Sequence, residues 1–375
     1  MSARTVEQMV ASIKDIRIQH RAYKDTVSHI HSQANVLVAG EIMVVVGPSR
    51  VGKGRAVFDA MDLIVGRQPK DESKRPFIYV TCENSQAEGG FSTRGFMLAA
   101  CRAINHPIYG SLPSDTAAVL RMEMLIARTP EALLRDAFEG GLKELGVKYL
   151  VFDEAHHVGY AKGGNKTALK ILDSWKCLAA NVGLVLILVG SYKLFELINL
   201  VPHLVGRQRP IEFPRYRGAS ASDIVAFEQI LVTFSAMLPF ANPATSLRSW
   251  NKFLFEKSVG CIGHLSLWLR SALALMESRG EIYLTEKILN LTAFLPSQLS
   301  ALVKEIEDGE ISMYGGMPRG EPYATSDMNI ESQRVTERDS VDATTKDVDL
   351  IDSAAKINRK PFHRATLRNP RVGRV

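Results

Sequence analysis

A chain of 375 residues with 46 basic against 40 acidic side chains, a formal charge of +6 and 46% hydrophobic residues has an ordinary globular composition, enough for one main core and a satellite. Its four cysteines, Cys82, Cys101, Cys177 and Cys261, share no close spacing, which argues against a disulfide scaffold or a zinc cluster and fits small buried side chains in a reducing compartment. No apolar run approaches the roughly 20 residues that cross a bilayer, and the start, MSARTVEQMVASIKD, lacks a signal core. The expectation is a cytoplasmic protein with no membrane part, whose mild positive charge permits nucleic-acid binding without demanding it.

In chain order, residues 1–35 read as a polar helical arm with an imperfect apolar face of Met9, Ile13, Ile16 and Ile18. Residues 36–217 then alternate strand and helix. The strand IMVVV is followed by a helix after Lys53, the strand FIYVTC, helices around 94–104, 115–127 and 131–145, an acidic strand ending at Asp153, and the buried run 182–191. Such alternation predicts an α/β core with a parallel five-stranded sheet flanked by helices. From 218 to about 310 the pattern is helical only, opened by the cap signal Ser220-x-Ser222-Asp223, and predicts a small helical lid containing the apolar stretch 258–276. Near Gly309 the composition turns to Gly, Pro, Asp, Ser and Thr, so 311–375 is expected to be a disordered tail. Its arginine-rich end with Phe362 suits docking on a partner or on a phosphate backbone, or is simply solvated.

The chemistry concentrates in two motifs. In Gly47-Pro48-Ser49-Arg50-Val51-Gly52-Lys53-Gly54-Arg55, the glycines let backbone N–H groups turn inward, the following helix aims its positive end at the same spot, and Lys53 supplies an ammonium for phosphates. This predicts an ATP site. Gly54 stands where a phosphate loop ordinarily carries a Ser or Thr hydroxyl for Mg²⁺, so metal retention and turnover are expected to be weak. Gly54→Thr should then speed hydrolysis if the loop has room. The second motif, Lys148 to His157, ends an apolar strand in Asp153, placed to hold Mg²⁺ through the nucleotide, and Glu154, placed to activate the attacking water.

Ser191, ending the strand expected between these two motifs, is a sensor candidate or an ordinary turn hydroxyl. Arg207, with Arg209 beside it, is a candidate arginine finger for a neighbouring subunit, against the plainer reading of surface charge. Asp153 to His156 spells a helicase-like DEAH, but the residues after Ser191 read as a short strand, a helical stretch and a polar tail, not as the second RecA-like domain such a helicase needs. His156 and His157 lack partners at metal-ligand spacing and read as loop residues.

Together, GPSRVGKG, LVFDEAHH, LVLILVGS and the Gly-x-Ile-Gly-x-Leu opening of VGCIGHLSLWLRSAL give the chain from about Val36 to Ser300 a resemblance to the TniB/TnsC family of AAA+ ATPase transposition regulators of Tn7-like transposons, CRISPR-associated ones included. The resemblance implies an ATP- and Mg²⁺-dependent homo-oligomer, a ring or helical filament of hexameric or heptameric order, that wraps duplex DNA. It further implies a TniQ-like target selector and a DDE transposase of the TnsB/TniA kind as partners, with a TnsA-like endonuclease in some systems. It gives Lys53 the phosphates, Asp153 the metal, Glu154 the water and Ser191 the sensor role; Gly54 departs from the family pattern. Basic residues between the second and the acidic strand are the DNA candidates, with Arg94, Arg102 and Arg121 chosen and the loop Ala161 to Lys166 as a further one. Two other readings stay open: a helicase loader of the IstB/DnaC type, and a non-hydrolysing nucleotide-bound scaffold, which Gly54 favours and the intact Asp153-Glu154 pair opposes.

Overall fold

The computed structural model describes residues 5–66, 73–85, 89–110, 119, 124–242 and 245–315. The chain divides into two units, Met1–Glu321 and Pro322–Val375. The second, with everything expected of the tail beyond 315, lies outside the described residues, as does most of the helix expected at 115–127.

Five parallel strands form the central sheet: β1 (Ile42–Val46), β2 (Phe77–Thr81), β5 (Tyr149–Asp153), β6 (Val185–Gly190) and β7 (Gln208–Glu212), ordered β2-β5-β6-β1-β7. Two short strands, β3 (Asn84–Ser85) and β4 (Gly90–Phe91), pair separately. Parallel strands need crossovers, so both faces of the sheet are covered and every residue of β1 and β6 is buried. Alternation then sorts side chains between two cores. Met43, Val45, Val151, Ile187 and Val189 face one; Val44, Ile78, Leu150, Phe152 and Leu188 face the other.

On the second face lie α4 (Thr93–Ala103), α5 (Glu131–Leu145), α6 (Asn165–Val182) and α7 (Tyr192–Asn199). Trp175 of α6 stacks edge-on against Phe152 at 4.8 Å between ring centres, with Phe96 and Phe91 completing the cluster beneath the acidic strand. On the first face lie α1 (Val6–Asp15), α2 (Arg21–Ala34), α3 (Lys53–Val65) and the helical region. The short α8 (Pro202–Val205) precedes β7.

Residues 5–35 lie on the core and are not a free arm. Met9, Ile13, Ala22 and Ile30 are buried in the first core, and the apolar face predicted as one stripe is split between α1 and an extended link from Ile16, because α1 stops at Asp15. The helical region comprises α9 (Ala221–Ser235), capped by the Ser220 side chain as its sequence predicts, α10 (Asn251–Ser258), α11 (Ile262–Ser278), α12 (Glu286–Thr292) and α13 (Pro296–Tyr314). The apolar stretch 258–276 is broken at Val259 and Gly260, both at positive φ, so α11 starts afresh at Ile262.

Helix α13 runs to Tyr314, past the composition change at Gly309. Tertiary contacts override the local composition there. Glu310 takes a two-pronged hydrogen bond from Arg215 at 3.1 and 3.2 Å, and the Tyr314 hydroxyl donates to Glu212 at 2.7 Å. The cysteines are free; Cys82, Cys101 and Cys261 are buried as expected, whereas Cys177 is exposed on α6. Among the described residues no single helix is long and apolar enough to cross a membrane.

Candidate nucleotide site

The site lies at the carboxyl edge of the sheet, where β1 runs into the loop 47–52 and then into α3. Gly47 and Gly52 sit at φ 154° and 101°, and a Cβ on Gly47 would stand 2.2 Å from the Phe213 carbonyl oxygen. Only glycine lets the loop turn there. Helix α3 has no side-chain cap, so its first N–H groups and its positive dipole end are left to the loop's concavity. Lys53, at its first residue, donates to the carbonyls of Gly47 at 3.1 Å and Pro48 at 2.8 Å. An ammonium has three donors, which leaves one for an anion. Burial holds Lys53 below the usual lysine range, and the charges of Glu154 and Asp153 act in the opposite direction.

Two strands away, β5 ends in Asp153, whose carboxylate accepts from the Glu154 N–H at 2.8 Å. Glu154 sits at φ 53°, a left-handed conformation costly for a non-glycine residue, with its side chain half exposed. His156 Nδ1 lies 3.3 Å from the Glu154 carboxylate and 3.4 Å from the Ser191 backbone nitrogen, linking the acidic turn to the end of β6. Burial lowers its pKa to about 4, so the neutral ring serves one of those contacts at a time. Ser191 is buried, and its hydroxyl has no hydrogen-bond partner among the described residues. It is therefore no satisfied turn hydroxyl. His156 is a residue that the sequence reading passes over as loop.

At Gly54 the loop has no room for a threonine until its neighbours shift. A Cβ there would stand 2.5 Å from Asp153 Oδ2 and 2.5 Å from the Tyr79 hydroxyl. Tyr79, on β2, donates to that same Asp153 oxygen. The space beside the lysine, which the motif ordinarily gives to its own hydroxyl, is filled from a neighbouring strand.

Beside the phosphate loop opens a cavity of about 480 Å³. One wall is Arg50 to Gly52 and Arg55; the others are the link Ile16 to His20, and Ile262, Gly263 and Ser266 of α11. His20 caps α2 and meets the Tyr216 hydroxyl at 2.8 Å, which secures the link against the segment after β7. Desolvation lowers the His20 pKa to about 4. The N-terminal segment thus builds a wall of the site, a role no local motif announces; the alternation of Ile16 and Ile18 after a helix end is its only trace in the sequence.

The remaining candidates are scattered. Gly47 and Pro48 are buried, Ser49 and Arg50 exposed, and Arg55 pairs with Asp59 at 2.9 Å. Arg207 is exposed before the first residue of β7, at the sheet's amino edge, about 16 Å of strand away from its own chain's phosphate loop. Arg209 lies within β7. Arg94 is half-buried and donates to the carbonyls of Ile126 and, at 3.2 Å, Thr129, so it holds the segment before α5 and is withdrawn as a DNA contact. Arg102 is exposed on α4. Arg121 lies outside the described residues. Potential ligand atoms of Glu154, His156 and His157 come within 4.8 Å of one another, closer than the sequence suggests, although His157 Nδ1 already bonds the Cys82 carbonyl at 2.7 Å.

The residues fit a magnesium nucleotide on structural grounds: an uncapped helix start, a lysine with a donor in reserve, adjoining carboxylates, and a buried serine hydroxyl without a partner. The AAA domain family matches residues 38–198. No curated protein matches the sequence. Among solved structures, the chain is similar to a Walker-type ATPase of Pyrococcus abyssi, with 14% identity, 79% of each chain covered and a TM-score of 0.48. It is similar to the ORC2 protein of Aeropyrum pernix in ADPNP and ADP complexes, with 14% identity over 82% of this chain and 86% of that one and a TM-score of 0.48. Cdc6p of Pyrobaculum aerophilum gives 15% identity, 83% and 86% coverage and a TM-score of 0.48. Likeness at this level carries no residue role across. Sheet order, phosphate loop, acidic strand and family match together make residues 38–198 an AAA-type P-loop ATPase domain.

Proposed function

We propose that the protein is an ATP-dependent, DNA-binding regulator of transposition that hydrolyses ATP to leave its DNA-bound state. The observation that carries the nucleotide part is the convergence of the loop 47–52, Lys53, Asp153, Glu154 and Ser191 on one edge of the sheet. The N–H groups of the loop and Lys53 take the phosphates, and the adjoining cavity takes the nucleoside. Mg²⁺ held near Asp153 supplies the charge that offsets the phosphate oxygens. Glu154 accepts a proton from water, and the Ser191 hydroxyl orients that water. Arg207 stands at the edge of the sheet opposite its own loop, so it acts on the nucleotide of an adjacent subunit in a ring or filament.

The transposition reading is supported by the shared sequence motifs. Of the Gly-x-Ile-Gly-x-Leu element, Ile262 and Gly263 line the cavity and Leu265 is buried beneath it, so the motif belongs to the nucleotide site. On this reading duplex DNA, a TniQ-like selector, a DDE transposase and, in some systems, a TnsA-like endonuclease are the partners, in the cytoplasm. Arg102 is the DNA candidate left exposed. Gly54 supports a second reading, a nucleotide-bound scaffold without turnover. Fluorescence anisotropy of labelled duplex with ATP, with a slowly hydrolysed analogue and with no nucleotide tests the switch. Binding should need ATP, persist longer in Glu154→Gln, and fall steeply with salt. Affinity indifferent to nucleotide would refute it, and wild-type phosphate release no faster than that of Glu154→Gln would favour the scaffold.

A further inference from the structure

Gly54 removes a hydroxyl from the phosphate loop, and the fold returns one to the same place. We propose that the Tyr79 hydroxyl stands in for the hydroxyl a phosphate loop ordinarily carries after its lysine, serving as the neutral oxygen ligand of the nucleotide's divalent cation beside Asp153. The assignment rests on reading the site as a magnesium-nucleotide site.

Three observations lead there. The first is position. The point where a side chain at residue 54 would begin lies 2.5 Å from the Tyr79 oxygen, so with Gly54 in place that oxygen holds the space and a side chain at 54 would have to displace it. The second is bonding. A neutral hydroxyl can offer a lone pair to a cation while its proton goes to a base, and Tyr79 already gives its proton to Asp153, leaving its lone pairs free.

The third is topology. β2 and β5 are parallel, with Thr81 opposite Asp153 and Tyr79 opposite Val151. Tyr79 therefore shares a sheet face with Asp153, the face on which α3 packs, and starts two residues behind it, about 7 Å along the strand. A tyrosine spans that gap; a serine there would not. Ser191, which follows β6, is not among the three atoms nearest a Cβ at 54.

The test is a double-mutant cycle read by equilibrium binding of a fluorescent ATP analogue across a Mg²⁺ titration, with Mn²⁺ binding by electron paramagnetic resonance as a direct metal readout. Tyr79→Phe keeps the ring and its packing. It should leave nucleotide affinity in EDTA unchanged while raising the Mg²⁺ needed for half-saturation about 10-fold. Gly54→Ser alone should also weaken metal binding, because its Cβ drives Asp153 and Tyr79 apart. Combining Gly54→Ser with Tyr79→Phe restores one hydroxyl and removes the clash with the Tyr79 oxygen, so that only the Asp153 carboxylate has to turn aside, and should bring the Mg²⁺ requirement back to within about 3-fold of wild type. Rescue of that kind is not expected of a residue that only packs. A Tyr79→Phe protein with wild-type Mg²⁺ and Mn²⁺ dependence, or a double variant as poor as the two single effects added, would overturn the assignment. Wild-type protein that binds the analogue equally with and without divalent metal would instead overturn the magnesium-nucleotide reading, and Tyr79 with it.

Discussion

On its phosphate side the nucleotide site is made by eight consecutive residues, Gly47 to Gly54, with Asp153 and Tyr79 reaching in from β5 and β2. On its other side the cavity is walled by Ile16 to His20 and by Ile262 to Ser266, more than two hundred residues apart in the chain. The first side works by charge and backbone donors, which need a fixed local geometry and so a contiguous motif. The second works by shape, and any apolar side chains brought to the right place will serve. Substitutions on the two sides should therefore fail differently: the phosphate side in binding any polyphosphate, the cavity side in telling a nucleoside triphosphate from triphosphate alone.

The largest effect is expected from Lys53→Ala. Losing a buried ammonium removes charge-assisted hydrogen bonds of roughly 3 kcal/mol, so affinity for ATP and for inorganic triphosphate should fall together by about 100-fold in isothermal titration. A loss confined to ATP would break the division of labour.

Smaller is the effect of Ile18→Ala in the cavity wall. Deleting its half-buried side chain should cost about 10-fold in ATP affinity, in line with the worth of a hydrophobic pocket contact, with triphosphate affinity unchanged. Equal losses for both ligands would mean that the wall supports the loop and does not meet the nucleoside.

The smallest is a pH dependence of stability carried by His20, which faces Tyr216 and Tyr23, with the Arg21 and Asp223 pair on the adjoining surface. Its folded pKa is about 4 and its unfolded value 6.5, so the unfolded chain binds the extra proton first. Stability is then unpenalised above pH 6.5 and declines as pH falls from there to about 4, by up to a few kcal/mol. His20→Asn should flatten that part of the profile in urea denaturation at successive pH values. An unchanged slope would show that His20 is as accessible folded as unfolded, and so that the wall is not closed as described.

What could be read from the sequence alone was whatever depends on short-range order. The hydrophobic periods place β1, β2, β5, β6 and most helices, because burial on both faces forces continuous apolar runs in parallel strands. The phosphate loop is legible because its glycines and lysine must be neighbours. Composition failed at Gly309, where a polar-looking segment is held in helix by the Arg215–Glu310 pair and by Tyr314 on Glu212, contacts with residues about a hundred positions away. It failed also for residues 5–35, whose partial apolar face is completed only by the core it lies on. Arg94 shows the same limit. Its charge suggests DNA, but its guanidinium is committed to backbone carbonyls that come near only once the chain has folded. Gly54 makes the point most sharply, since the sequence reports a missing hydroxyl, while strand register and side-chain parity between β2 and β5 carry the Tyr79 oxygen to the vacant space. Which residues share a sheet face is a local property, but which strands lie side by side is decided by the packing of the whole sheet.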